Sequence, residues 1–144
     1  MKKTALFVFV CLAVSALLCS CGTGFDTVRR GFEDAGFDYT FVADEYEVAV
    51  TVQRELDEAG ISYNAHYFTK SVGQGLTSES RAFALVIEFE SGSEKDKAFS
   101  SEGSATLRYL IEDPETSDHV LGNCVLVEAN AAGQDLTAAF NAYK

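Results

Sequence analysis

Apolar residues recur along the chain with a period that changes several times, and each change marks an element. Phe25, Val28, Phe32 and Ala35 have helical spacing and predict an amphipathic helix over 25–35, with Thr23 as its cap and Gly36 as its stop. Residues 37–41 alternate apolar and polar, as a short strand does. Asp44-Glu45-Tyr46-Glu47 has capping-box spacing, and Val48, Val52, Leu56 and Ala59 continue one helical face to Gly60. The stretch 46–52 also alternates and is β-branched, which favours a strand. The cap, the helix formers at 54–58 and the Gly60 stop favour helix. Ile61, Tyr63, Ala65 and Tyr67 predict a second strand, and 71–80, with two glycines, a hairpin loop. Phe83, Leu85, Ile87 and Phe89 form one face of a third strand. Ala84 and Val86 keep its other face apolar too, which places it at the centre of a sheet. Ser93-Glu94-Lys95-Asp96 opens a short helix carrying Ala98 and Phe99. In 104–118, Leu107, Leu110 and Ile111 fit either an amphipathic turn or an edge strand before Pro114. Residues 120–127 read as one more strand, holding Cys124. Residues 135–143 predict a final helix with Leu136, Ala139, Phe140 and Tyr143 turned inward.

This order predicts an α+β domain, an antiparallel sheet with helices on one face. The run β-α-β-β-α-β within it matches the split-βαβ, ferredoxin-like arrangement, with a helix added at each end. The name implies no iron–sulfur cluster, because the thiolates such a cluster needs are absent. Glu33-Asp34-Ala35-Gly36-Phe37-Asp38-Tyr39 and Asp57-Glu58-Ala59-Gly60-Ile61-Ser62-Tyr63 echo each other. Both read as a helix end, a glycine able to take positive φ, and entry into a strand. The echo is a common local device and no sign of duplication.

The first twenty residues have a different character. Lys2 and Lys3 precede a fourteen-residue run, 5–18, that is apolar except at Ser15. That is the length of a secretory hydrophobic segment and short of the about 20 residues a membrane span needs. Leu18-Cys19-Ser20-Cys21 closes it. These four residues resemble the lipobox of bacterial lipoproteins: aliphatic Leu18, small Ser20, then Cys21 as the lipidated position. Cleavage before Cys19 would put bulky Leu18 next to the cut, which the pattern does not favour. The resemblance covers residues 1–21. It implies export, loss of 1–20, and a membrane anchor of two or three acyl chains on Cys21. Residues 21–24 then form the lipidated cysteine and a short tether, and 25–144 a single domain beside a cell or outer membrane.

Charge and cysteine content follow from that processing. The chain carries 11 Lys and Arg against 22 Asp and Glu. Loss of Lys2 and Lys3 leaves 9 − 22, a net −13. Such a domain repels nucleic acid and anionic headgroups and attracts cationic partners. Of four cysteines, Cys11 and Cys19 leave with the signal. A thioether at Cys21 would leave Cys124 without a disulfide partner, so the apolar core must supply the stability.

Few residues carry recognisable chemistry. Glu112, Asp113, Glu115, Asp118 and His119 concentrate hard oxygen ligands, permissive for calcium. Their spacing matches no EF-hand loop, and a solvated acidic loop is the favoured account, with no metal site assigned. Cys124 in an apolar strand reads as a small hydrophobe rather than a nucleophile. His66 reads as a hydrogen-bonded or surface histidine beside Asn64 on the more polar face. Gly73-Gln74-Gly75 lacks the Gly-Lys-Ser/Thr of a phosphate loop, and no cofactor is implied. Tyr39, Tyr63 and Tyr67 on neighbouring strands would form a platform for a peptide or glycan, unless the rings pack beneath helices. The leading expectation is a membrane-anchored, non-enzymatic envelope domain that binds a protein or peptide. One alternative is an acidic inhibitor or immunity-type lipoprotein that captures a cationic enzyme. The other is a small envelope hydrolase built on the 112–119 carboxylates and His119.

Overall fold

The computed structural model describes residues 24–40, 46–73 and 81–144. Cys21, the lipobox, Thr23 and Asp44 lie outside the described residues. Five helices and five strands follow one another along them: α1 (Phe25–Asp34), β1 (Asp38–Thr40), α2 (Glu47–Glu58), β2 (Tyr63–Ser71), β3 (Arg81–Phe89), α3 (Gly92–Ala98), α4 (Ala105–Leu110), β4 (Val120–Leu121), β5 (Cys124–Asn130) and α5 (Leu136–Phe140). The class is α+β. Among the described residues no helix is long and apolar enough to cross a membrane.

The sheet runs β1-β2-β3-β5-β4 with every ladder antiparallel. It is not the split-βαβ order. That order inserts a strand between the two joined by the first helix, whereas β1 lies directly beside β2, Tyr39 opposite Phe68. β3 occupies the centre, as its two apolar faces require. Residues 120–127 are not one strand: a turn at Gly122, φ 60°, breaks them into β4 and β5, which pair with each other. In the 104–118 region the helix α4 forms, because Ser104 caps it by accepting the Leu107 N–H. The last helix ends at Phe140, and Tyr143, expected inward, is half exposed.

Helices cover both faces of the sheet rather than one. On the first face Val28 and Phe32 of α1 and Leu136, Ala139 and Phe140 of α5 pack on Phe68, Ala82, Ala84, Val86, Cys124 and Leu126. On the second, Ala49, Val52 and Leu56 of α2, Ala98 of α3 and Leu107 of α4 cover Phe83, Leu85, Ile87, Phe89, Val125 and Val127. The reason is β3 itself. Burying only its odd positions would leave Ala82, Ala84 and Val86 in water, and Val86 alone would forfeit about 1.5 kcal/mol.

The two echoed glycines perform one task. Gly36 (φ 82°) and Gly60 (φ 63°) sit just past α1 and α2. In each, the glycine N–H and the next N–H close a paired bond back onto the helix, Gly36 to Glu33 and Phe37 to Phe32, Gly60 to Asp57 and Ile61 to Leu56. This is the Schellman motif, and Phe37 packs edge-on against Phe32 to complete it.

α2 and α4 are joined by a polar bracket. The Glu55 carboxylate accepts the Ser104 hydroxyl at 2.6 Å, the Thr106 N–H at 2.9 Å and the Thr106 hydroxyl at 3.0 Å. Burial opposes its charge, but these three bonds outweigh burial and hold the carboxyl below its ordinary range. A lowered carboxyl contributes stability above its unfolded-state pKa and loses it as pH falls through the folded value. Glu55→Gln should therefore destabilise the domain by about 1 kcal/mol at neutral pH and by progressively less as the medium is made acidic, read from urea melts across the acid range.

Candidate functional site

β1, β2 and β3 place three polar side chains on the face that α1 covers. His66 stands opposite Val86, so Glu88 is its diagonal neighbour along β3, and Tyr39 on β1 is its diagonal neighbour through Phe68. His66 Nε2 lies 2.8 Å from Glu88 Oε2, and Nδ1 lies 2.8 Å from the Tyr39 hydroxyl. An ionised Glu88 only accepts, which places the ring proton on Nε2 and leaves Nδ1 to accept from Tyr39. Phe25, the first residue of α1, stacks on the imidazole with centroids 3.4 Å apart and planes 13° off parallel. The Arg29 guanidinium lies over the Tyr39 ring, 5.1 Å from its centroid.

Next to this chain of contacts opens a cleft of about 350 Å³. Gly24 and Phe25 form one wall, Asn64, Glu88, Phe89 and Glu90 the floor, and the β4–β5 turn at Gly122, Asn123 and Cys124 the far side. The lining holds two carboxylates and two carboxamides. Lys95 from α3 approaches the turn, where its ammonium donates to the Gly122 carbonyl at 2.8 Å. Glu88 is one-third exposed and His66 only 13%, so the carboxylate reaches solvent while its imidazole partner stays behind it. Burial, and then the charge of Glu88, push the Cys124 thiol up to about 12. It is protonated at neutral pH and offers no nucleophile. The arrangement can accept hydrogen bonds from a cationic group while Phe25 covers its methylenes.

The residues singled out from sequence fare differently. His66 is hydrogen-bonded, as expected, but it faces the α1 core rather than a polar surface. The three tyrosines form no single platform. Tyr39 lies on the α1 side, whereas Tyr63 and Tyr67 lie beneath α2. The Tyr63 hydroxyl donates to Asp57 Oδ1 at 3.0 Å and Tyr67 to Gln53 Oε1 at 2.7 Å. Burial, reinforced by the bond to Asp57, raises the Tyr63 phenol well above its ordinary range.

In the acidic segment Glu112, Asp113, Glu115 and Asp118 are all exposed. Asp113 accepts the Thr116 hydroxyl at 2.8 Å and the Glu115 N–H at 3.0 Å, and those bonds hold it below the usual carboxylate range. It is a turn former. His119 meets Asp118 at 3.1 Å and Glu128 at 3.4 Å. Among the described residues no three His, Cys, Asp or Glu side chains are placed to hold a metal ion.

Sequence reading missed Glu88, Glu90, Asn64 and Asn123. The one signal was a glutamate interrupting the apolar run 82–89, which is conspicuous in a central strand but names no partner. A second concavity of about 480 Å³ lies between α2 and α4, lined by Tyr46, Glu47, Val48, Thr51, Thr106 and Ala129. The Tyr46 ring stacks on Phe83 at 4.2 Å, and its buried hydroxyl has no partner among the described residues. Comparison of the chain with protein-family models, curated proteins and solved structures finds no match.

Tyr67 serves packing and hydrogen bonding beneath α2. Tyr67→Phe should lower stability by about 1 kcal/mol, read as a shift in the thermal midpoint, because it strips Gln53 of a half-buried partner.

Proposed function

We propose that the protein is an exported lipoprotein, cut before Cys21 and anchored there by acyl chains, whose domain binds a cationic segment of a protein or peptide. One observation carries the binding half of this reading. Glu88 and Glu90 share a concave cleft with Asn64 and Asn123, on a domain whose processed charge is −13. Carboxylates and amides so arranged favour an arginine or lysine side chain over an anion or an apolar ligand. The cleft begins at Gly24, three residues after Cys21, so a partner seated there is held at the anchored end of the domain. The charge also supports a second reading, an acidic inhibitor that captures a cationic enzyme at the membrane surface. Salt dependence separates the two: long-range capture weakens steeply with ionic strength, a desolvated contact less so.

Two experiments test the proposal. Metabolic labelling with an alkyne fatty acid in a bacterial host should mark the wild-type chain and leave Cys21→Ala unlabelled; label on the variant would refute the anchor. Titration with a blocked Arg-Gly-Arg-Gly peptide should give an affinity that drops about tenfold in Glu88→Gln/Glu90→Gln. Equal affinity in the two proteins would refute the cleft.

A further inference from the structure

We infer that cation binding in this cleft is coupled to a proton on His66: protonation of the imidazole turns Glu88 into half of an internal ion pair and lowers the affinity for a cationic partner. This rests on the cleft reading above. Its basis is the position of Glu88, which faces two ways. One side of the carboxylate opens to the cleft, and Oε2 meets His66 Nε2 at 2.8 Å. The imidazole is behind the cleft wall, stacked under Phe25 and tied to Tyr39, so it stays beside the carboxylate rather than swinging into solvent. A neutral ring donating to Glu88 leaves the carboxylate its full charge. An imidazolium in the same place cancels most of it.

Of the two histidines, His66 is the one in hydrogen-bond contact with Glu88, whereas His119 meets Asp118 and Glu128. α1 presents Phe25, with Arg29 one turn along, over Tyr39 and paired with Glu33. β1 presents Tyr39, and β2 places Asn64 and Phe68 on the same face, with Lys70 beyond them bound to the Ala35 carbonyl. β3 presents Val86 and Glu88, and β5 presents Cys124. Glu90 shares the cleft, and Lys95 is engaged by the Gly122 carbonyl at its edge. Among these side-chain types only imidazole changes charge between about pH 5 and 8. The sign follows directly. Above its titration His66 is neutral and the cleft binds; as pH falls through it, a proton competes with the cationic partner for Glu88. Reciprocity requires that a bound partner make His66 harder to protonate.

The full-length chain, produced in a bacterial host, is titrated with the same blocked Arg-Gly-Arg-Gly peptide from about pH 8 to about pH 5. Arginine keeps its charge throughout. The expected result is an affinity that falls about tenfold toward the acidic end in the wild type. His66→Gln still offers an N–H to Glu88 but cannot titrate, and its profile should be flat. His119→Gln, at an imidazole that meets Asp118 and Glu128 rather than Glu88, should keep the wild-type slope. Because His66→Gln could fail to fold, the His66 ring resonance is also followed by NMR in the wild type, and its titration midpoint should drop when peptide saturates the cleft. A flat wild-type profile, a slope that survives in His66→Gln, or an unmoved midpoint overturns the proton coupling. In those cases loss of binding in Glu88→Gln/Glu90→Gln still upholds the cleft. Indifference of binding to those two substitutions overturns the cleft, and the coupling with it.

Discussion

Burial of β3 on both faces is the constraint from which the rest of the structure follows. Phe83, Leu85, Ile87 and Phe89 point one way, Ala82, Ala84 and Val86 the other, and all seven are almost wholly removed from water. A strand of this kind belongs in the middle of a sheet with a helical layer on each side. β2 and β5 provide the hydrogen-bonding neighbours, and the short strands β1 and β4 end the sheet. The unequal faces then shape the layers. Alanines on the α1 side leave room for Phe32 and Phe68 to stack at 4.4 Å, while on the α2 side Phe83 and Phe89 pack with Val52, Leu56 and Leu107.

Polar contacts fix how these layers sit. The paired glycine turns after α1 and α2 deliver the chain toward β1 and β2 by the same pair of bonds. Glu55 stitches α2 to the start of α4, and Ser104, fully buried, is satisfied by giving a hydrogen bond to Glu55 and taking one from Leu107. A buried hydroxyl left unpaired would cost on the order of 1–3 kcal/mol, so the two helices are locked in register by mutual need. The same logic operates at His66, where both ring nitrogens are used inside the protein. What distinguishes that site is that one of the partners, Glu88, also faces open space.

That dual exposure is what connects the fold to the proposed binding role. Glu88 is held on a central strand, in a fixed relation to Asn64 and Cys124 on its neighbours, and Phe25 closes the site from the first residue of α1. A binding group mounted this way pays little ordering entropy when a ligand arrives. In the proposed coupling its charge is tuned by His66, which lies behind it at 2.8 Å.

Local pattern determined a great deal here. The 3.6-residue spacing of Val28 and Phe32, and of Val52 and Leu56, identified α1 and α2, and the apolar run at 82–89 identified the central strand. Gly36 and Gly60 marked where helices end, since few other residues accept positive φ. All of these are properties of adjacent residues, so a single chain read in order reveals them. Which strands are neighbours is a different kind of fact. The sequence fitted a split-βαβ sheet with one helical layer as well as it fitted the simpler order, because period and length say nothing about pairing. The tight turn at Gly122 cut one expected strand in two, and β3 demanded cover on both sides. The tyrosines were separated, and His66 was joined to Glu88, by strand register alone: side chains 22 positions apart meet only when two strands align. The acidic cleft exists only in that alignment, since its walls come from four separate stretches of chain. Tertiary structure decided the site because nothing in the local sequence could.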